Sequence, residues 1–371
     1  MKTGKRNLWP AALLCALLAM LSACGANTGA DSNAAPADGA QDAVSEVPGG
    51  DDVKTFKFAF PFPAESLDGR AYNYFAEQVF EESGGSIVVE LYPSDSLVAG
   101  GEVIEALMSG VVEMSHAAIA AFSPTIKELT PFEVPGGYRS DRYMEITYGT
   151  LETVDKIFQK YGLKFIIGAG AGVDMTFCSN SKLIKTPADL AGMNIRASGK
   201  WVGEAMKRWG GNPVTIPVSE VTTAFERGTV DAVYGGDGTV LAPFKLYEMG
   251  KYVTFTDLQE QYAGIVMNEA AYNSLSPDQQ AAIDRAKDKF ALYTEEQRQV
   301  EIDKLMQALE ENGNEVYILS EEESKAFIDI SLELMPEAAE IAGPDGEVLV
   351  EALAKLREGY SEEYQFGVIP E

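Results

Sequence analysis

The spacing of apolar positions along this chain switches between two periods in a repeating order. "TFKFAF" (Thr55 to Phe60) has the pattern of a strand, and Asp68 to Glu82 that of a helix ended by Gly84 and Gly85. "SIVVELY" (Ser86 to Tyr92) is a second strand, Glu102 to Ser109 a helix stopped at Gly110, and "VVEMSHA" a third strand. This β-α-β-α-β order predicts a mostly parallel sheet covered by helices. It returns after a short Thr186-capped helix with Pro187 at its first position and Asp189 three residues after the cap. "MNIRA" (Met193 to Ala197) reads as a strand, "WVGEAMKRWG" as a helix stopped by Gly210 and Gly211, and "VTIP" as a strand. A Ser219-capped helix and the strand "VDAVYGG" complete the second run.

Two segments match in detail. "EVIEALMSGVVE" from Glu102 and "EVTTAFERGTVD" from Glu220 share Glu-Val, then Ala, a large apolar residue, Gly, Val and an acid in register. The valine, alanine and large apolar residue fall on one helix face, the glycine permits a left-handed stop, and the next valine enters a strand. Their place at the same step of both runs predicts two similar α/β lobes. A further helix begins at Ser276-Pro277 with Gln279, carries Ile283, Ala286, Phe290, Leu305 and Leu309, and stops at Asn312-Gly313. At 1.5 Å per residue it spans on the order of 50 Å, longer than one lobe, so it is expected to bridge both. "EVYIL" then reads as a strand, followed by a helix from Ser320 and another over Glu347 to Tyr360.

In open α/β sheets, ligands bind beyond the carboxyl ends of the strands. Arg196 stands at the end of the second lobe's first strand, Pro217 to Ser219 end the next, and Tyr234, Gly235 and Gly236 end the third. From spacing alone, Arg196 meets either a surface carboxylate or a ligand. Trp201 and Tyr234 are either ligand walls or lobe packing, and Asp237 is either a turn residue or a ligand contact.

Composition changes the picture at the N-terminus. Lys2, Lys5 and Arg6 precede an apolar run from Leu8 to Leu21, closed by "LSAC" ending at Cys24. That is the pattern of an export signal, and "LSAC" fits a lipobox in which Cys24 carries the lipid. Residues 25–52 hold six acids, two prolines and almost no large apolar residue, and read as a disordered tether. Loss of residues 1–23 removes three basic residues and no acids, taking the formal charge from −28 to −31. Such a domain is a poor partner for nucleic acid or anionic lipid. Cys15 lies in the signal and Cys24 at the cleavage site, so Cys178 alone remains and no disulfide is expected in the fold. His116 is the only histidine and reads as a strand-end or core residue. With no second histidine and no cysteine pair, common zinc spacings are excluded, and no cofactor or metal is expected. "GAGAG" (Gly168 to Gly172) lacks the spacing of a dinucleotide fingerprint and reads as flexible backbone.

"GGSIVVELYPSDSLVAGGEVIEALMSGVVEMSHA", "KLIKTPADLAGMNIRAS" and "PVSEVTTAFERGTVDAVYGG" resemble the DctP-type substrate-binding proteins of tripartite ATP-independent periplasmic (TRAP) transporters. The resemblance runs from Phe56 to about Glu310, with three motifs in order. It implies a periplasmic-binding-protein-like fold of two α/β lobes that close over a ligand, a long helix across both, and delivery of an organic acid to a membrane permease. The family's arginine in the strand after "DL-x-G", which holds the ligand carboxylate, matches Arg196. The chain departs from the family in "VDMTFCS", which lacks the further arginine of some members, and in "DAVYGGDG", where many have Asp-Gly then Glu-Asn. Dicarboxylate or sialic acid specificity is therefore not carried over. Glu65, Asp174 and Asp237 either lie near the cleft, suiting amino or hydroxyl groups, or are solvated.

The expected organisation is a signal peptide at 1–23, an acidic tether at 24–52, lobe I at 53–173 with 264–302 returning to it, and lobe II at 174–263 with 303–371 returning to it. The expected ligand contacts are Arg196, Trp201, Tyr234, Gly235, Asp237, Glu65 and Ser219. The expected partners are a small carboxylate, TRAP permease subunits and the membrane, through lipid on Cys24 at the outer face of the cytoplasmic membrane. The alternatives are a receptor for an ATP-driven transporter, a ligand sensor, and an exported enzyme using a carboxylate pair such as Glu65 and Asp68.

Overall fold

A computed structural model of the chain describes residues 53–371 apart from 139–142, 169–174, 257, 259–261, 359–368 and 370–371. The export signal, the tether, Cys24, Asp174 and all of "GAGAG" after Gly168 lie outside the described residues.

The first repeat forms β1 (Lys54–Ala59), α1 (Leu67–Glu82), β2 (Ile87–Tyr92), α2 (Val103–Ser109) and β3 (Met114–Ala118). Next come α3 (Ile119–Phe122), a 3-10 stretch at Lys127–Glu133, α4 (Tyr143–Gln159), β4 (Leu163–Gly168) and β5 (Met175–Ser179). The second repeat forms β6 (Asn194–Ala197), α5 (Lys200–Trp209), β7 (Asn212–Thr215), α6 (Val221–Glu226) and β8 (Ala232–Gly236). The chain continues through β9 (Tyr252–Phe255), β10 (Ala263–Asn268), α7 (Glu269–Asn273), α8 (Pro277–Asn312), β11 (Glu315–Ile318), α9 (Glu321–Leu332) and α10 (Met335–Glu358).

Two sheets result, ordered β2-β1-β3-β10-β4 and β7-β6-β8-β5-β9-β11. In each, the first strand of the repeat lies between the second and third and runs parallel to both. The fourth place is taken by a strand that arrives from the other sheet and runs antiparallel to its neighbours. The sheets are thus parallel except for β10 and β5, which are the two crossing strands.

The shared segments fold alike. Glu102 has φ −107° and ψ −5°, and Glu220 has φ −102° and ψ −4°. Gly110 and Gly228 end the two turns at φ 75° and 66°, a left-handed backbone that a side chain disfavours. The shared acids also do the same work. The Glu113 carboxylate accepts the Lys57 backbone N–H at 2.9 Å, and the Asp231 carboxylate accepts that of Asn194 at 2.8 Å. Each acid ties the third strand to the first.

The first lobe has one core, with Phe58, Tyr72, Phe75, Phe122 and Ile265 among its members. The second sheet carries a core on each face, because successive strand residues point to opposite sides. Phe177, Ile195 and Tyr234 belong to one, and Cys178, Val233 and Val253 to the other. Helix α8 is 36 residues, about 54 Å long, and its Ser276–Gln279 capping box and Gly313 stop are those expected. Its Ile283 and Phe290 pack into the first core, and Leu305 and Leu309 into the second lobe, so it bridges both.

The C-terminal segment departs from expectation. The expectation places residues 303–371 with the second lobe, yet Leu349 and Leu353 pack into the first core. Helix α10 breaks at Gly343 (φ 69°), and its second half lies against α4, with Leu356 beside Gly149.

Candidate functional site

Arg196 is the third residue of β6. Ile195 and Ala197 point into one core, so Arg196 leaves on the opposite face, beside its ladder partner Val233. Its side chain runs forward along the strands. Nε donates to the Ile216 carbonyl at 3.0 Å and Nη1 to the Tyr234 carbonyl at 3.1 Å. These two carbonyls fix the plane of the guanidinium and leave Nη2 without a partner among the described residues.

The side chain is 4% exposed, and burial pushes its pKa down to about 10, so the group remains charged at neutral pH. Burial is the only cause of that shift, and no carboxylate opposes it. A buried cation held by neutral carbonyls, with no anion paired to it among the described residues, is an incomplete arrangement, because desolvating an unpaired charge is costly.

Arg196 lines a cavity of about 290 Å³ between the lobes. On its own side stand Ser198, Thr215, Pro217 and Ser219, and on the first lobe's side Phe60, Phe62, Val98, Ile104 and Phe122. His116, in the middle of β3, lies in the first lobe's wall with its ring 5.0 Å from that of Phe62. Its Nδ1 is 2.6 Å from the Tyr72 hydroxyl, and burial pushes its pKa down to about 3, so it is neutral at ordinary pH.

A second feature sits at the start of α5. Glu133, 2% exposed, receives a hydrogen bond from the Ser123 hydroxyl at Oε1 and another from the Trp201 backbone N–H. Trp201 is in the first turn of α5, where N–H groups have no helical partner and favour an acid. Burial raises the Glu133 pKa to about 7, against the lowering effects of Ser123, Trp201 and Lys200. Oε2 is buried without a partner among the described residues.

The other expected residues divide. Ser219 lines the cavity with Arg196. Trp201 and Tyr234, weighed as ligand walls, are instead buried in the core behind β6, at 3% and 0% exposure. Tyr234 alternates with Val233 and therefore faces away from Arg196, which it serves through its carbonyl. Gly235 is a packing position, since a Cβ there would come within 2.9 Å of Val240. Glu65 and Asp237 line a separate cavity of about 220 Å³, beside Arg70, Arg298 and Glu301. His116, Phe62 and Asp95 line the main cavity and were not among the expected contacts. The repeat gives no signal for His116 in the cavity: with Glu113 aligned to Asp231, it takes the place of Tyr234, which is a core residue.

Residues 58–341 match the family model described as bacterial extracellular solute-binding protein, family 7. The chain is 25% identical over 302 residues to the C4-dicarboxylate-binding periplasmic protein DctP of Rhodobacter capsulatus, covering 80% of this chain and 90% of that one. It is 26% identical over 282 residues to the 2,3-diketo-L-gulonate-binding periplasmic protein of Escherichia coli, covering 75% and 84%. Among solved structures, a TRAP periplasmic solute binding protein from Desulfovibrio salexigens with bound orotic acid is similar at a TM-score of 0.76. It shares 20% identity and covers 82% of this chain and 98% of that one.

Proposed function

The chain belongs to the bacterial extracellular solute-binding protein family 7, and from that membership we propose that it captures a small organic acid between its lobes and hands it to a TRAP-type permease. The observation that carries this reading is the buried Arg196 guanidinium, facing an interlobe cavity with no carboxylate paired to it among the described residues. A carboxylate supplies the missing anion and matches the planar fork with two oxygens. The relatives named for dicarboxylate and diketogulonate binding take ligands of the same broad class.

The ligand binds without turnover and without a cofactor. The lobes close over the ligand, and the ligand favours the closed state by touching both walls. Lipid on Cys24 holds the protein at the outer face of the cytoplasmic membrane, with residues 25–52 setting its reach. Mass spectrometry of what co-purifies with the protein identifies the ligand, and calorimetry then measures its affinity. Arg196→Ala is expected to weaken binding roughly 30-fold to several thousandfold, as for a truncated buried charge pair. Arg196→Lys recovers part of this. An alanine variant within about threefold of the original overturns the reading.

A further inference from the structure

The two repeats pair their first and third strands in the same register beside the cavity, and they differ there in one way. Lys57 and Glu113 in the first lobe correspond to Asn194 and Asp231 in the second, by the same backbone-to-carboxylate bond. Counting along the paired strands, Ala59 opposite Ser115 then stands where Arg196 stands opposite Val233. Of the two equivalent wall positions, one carries a cation and the other a methyl group.

The rest of the first lobe's wall extends that asymmetry. Phe60 packs at 5.0 Å from the Tyr72 ring, and Phe62 at 5.0 Å from His116, so the wall is a fixed aromatic surface. Its buried polar groups are mostly engaged: Ser115 Oγ lies 2.8 Å from the Ala59 carbonyl it donates to, and His116 Nδ1 bonds Tyr72. Among the described lining residues on this side, the one charged group is Asp95, which has the sign of a ligand carboxylate. Among the described lining residues, Arg196 is the only cation.

We infer that the cavity selects a monocarboxylate with a predominantly apolar body, its acid group on Arg196 and its body against Phe60, Phe62 and Phe122, with His116 Nε2 left for one further polar atom. A second ligand carboxylate would be buried against this wall or beside Asp95 with no cation among the described lining residues to meet it. Each sugar hydroxyl placed against the aromatic wall would lose its water without a partner, a loss of about tenfold or more in affinity. This inference rests on the reading of Arg196 as the carboxylate receptor and narrows it.

Six-carbon probes of matched length test it: hexanoate, adipate, gluconate and hexanamide, titrated by calorimetry into the dialysed wild-type protein. The expected result is hexanoate binding with a submillimolar Kd and at least about tenfold more tightly than adipate, gluconate or the amide. Adipate or gluconate binding as tightly as hexanoate overturns the apolar-monocarboxylate inference and leaves the carboxylate receptor standing. Hexanoate and hexanamide binding alike overturns the receptor reading itself. Failure of hexanoate to bind while the co-purifying acid is a dicarboxylate or a sugar acid also overturns the inference, and a co-purifying apolar monocarboxylate upholds it.

Discussion

Replacing Glu133 by glutamine isolates the energetic consequence of burying a carboxyl group at the start of α5. Burial lifts this carboxyl from an ordinary 4.5 to about 7. The folded pKa therefore lies above the unfolded one, and between those values the native state binds more protons than the unfolded state. Stability falls as pH rises through that window. A shift of this size corresponds to roughly 3 kcal/mol at full ionisation, at about 1.4 kcal/mol per unit. Glutamine keeps an oxygen for Ser123 and the Trp201 N–H but cannot ionise. Urea unfolding followed by circular dichroism at pH 4, 6 and 8 reads the effect as the difference between wild type and Glu133→Gln. Relative to wild type, the variant should gain roughly 2–4 kcal/mol between pH 4 and pH 8. The comparison must be differential, because His116 titrates in an overlapping window with the opposite sign. Two stability curves that stay parallel across this range would refute the argument that Glu133 ionises against its surroundings.

His116→Gln should show the converse: burial holds the histidine pKa at about 3, below its unfolded value, so wild type loses stability as pH falls below about 6.5, at up to roughly 1.4 kcal/mol per pH unit. The same urea series should show the variant spared that loss, and equal acid sensitivity would count against it. Gly228→Ala places a side chain at φ 66° with open space around its Cβ, so its cost is conformational, about 1–2 kcal/mol. A variant as stable as wild type by thermal unfolding contradicts the left-handed stop. Cys24→Ser should yield a protein without lipid that no longer partitions with membranes, and unchanged partitioning would disprove the anchor.

Much of the architecture is written locally. The helix faces at 102–113 and 220–231, their glycine stops and their acids follow from short-range spacing, and the structure returns them with nearly the same dihedrals. Arg196 was legible because strand polarity alone puts its position at a carboxyl end. What was not legible depends on pairing. Which face Tyr234 takes follows from its register against Phe177, and no local pattern states that register. The antiparallel entry of β5 and β10 is likewise a property of the crossings. Glu133 lies in a 3-10 stretch whose sequence gives no hint that α5 begins beside it. Glu65 and Asp237 look like cleft residues in the sequence, yet a separate cavity receives them.

The central claim is that Arg196 meets a ligand carboxylate, and a thermodynamic cycle tests it most directly. The co-purifying acid and its primary amide are each titrated into wild type and Arg196→Ala by calorimetry. If guanidinium and carboxylate touch, removing either one removes the same interaction, so the two losses do not add. The expected coupling is at least about 1.4 kcal/mol, a tenfold departure from additivity. Losses that add to within about 0.4 kcal/mol would mean that Arg196 and the carboxylate do not interact, and the account of the site would fail.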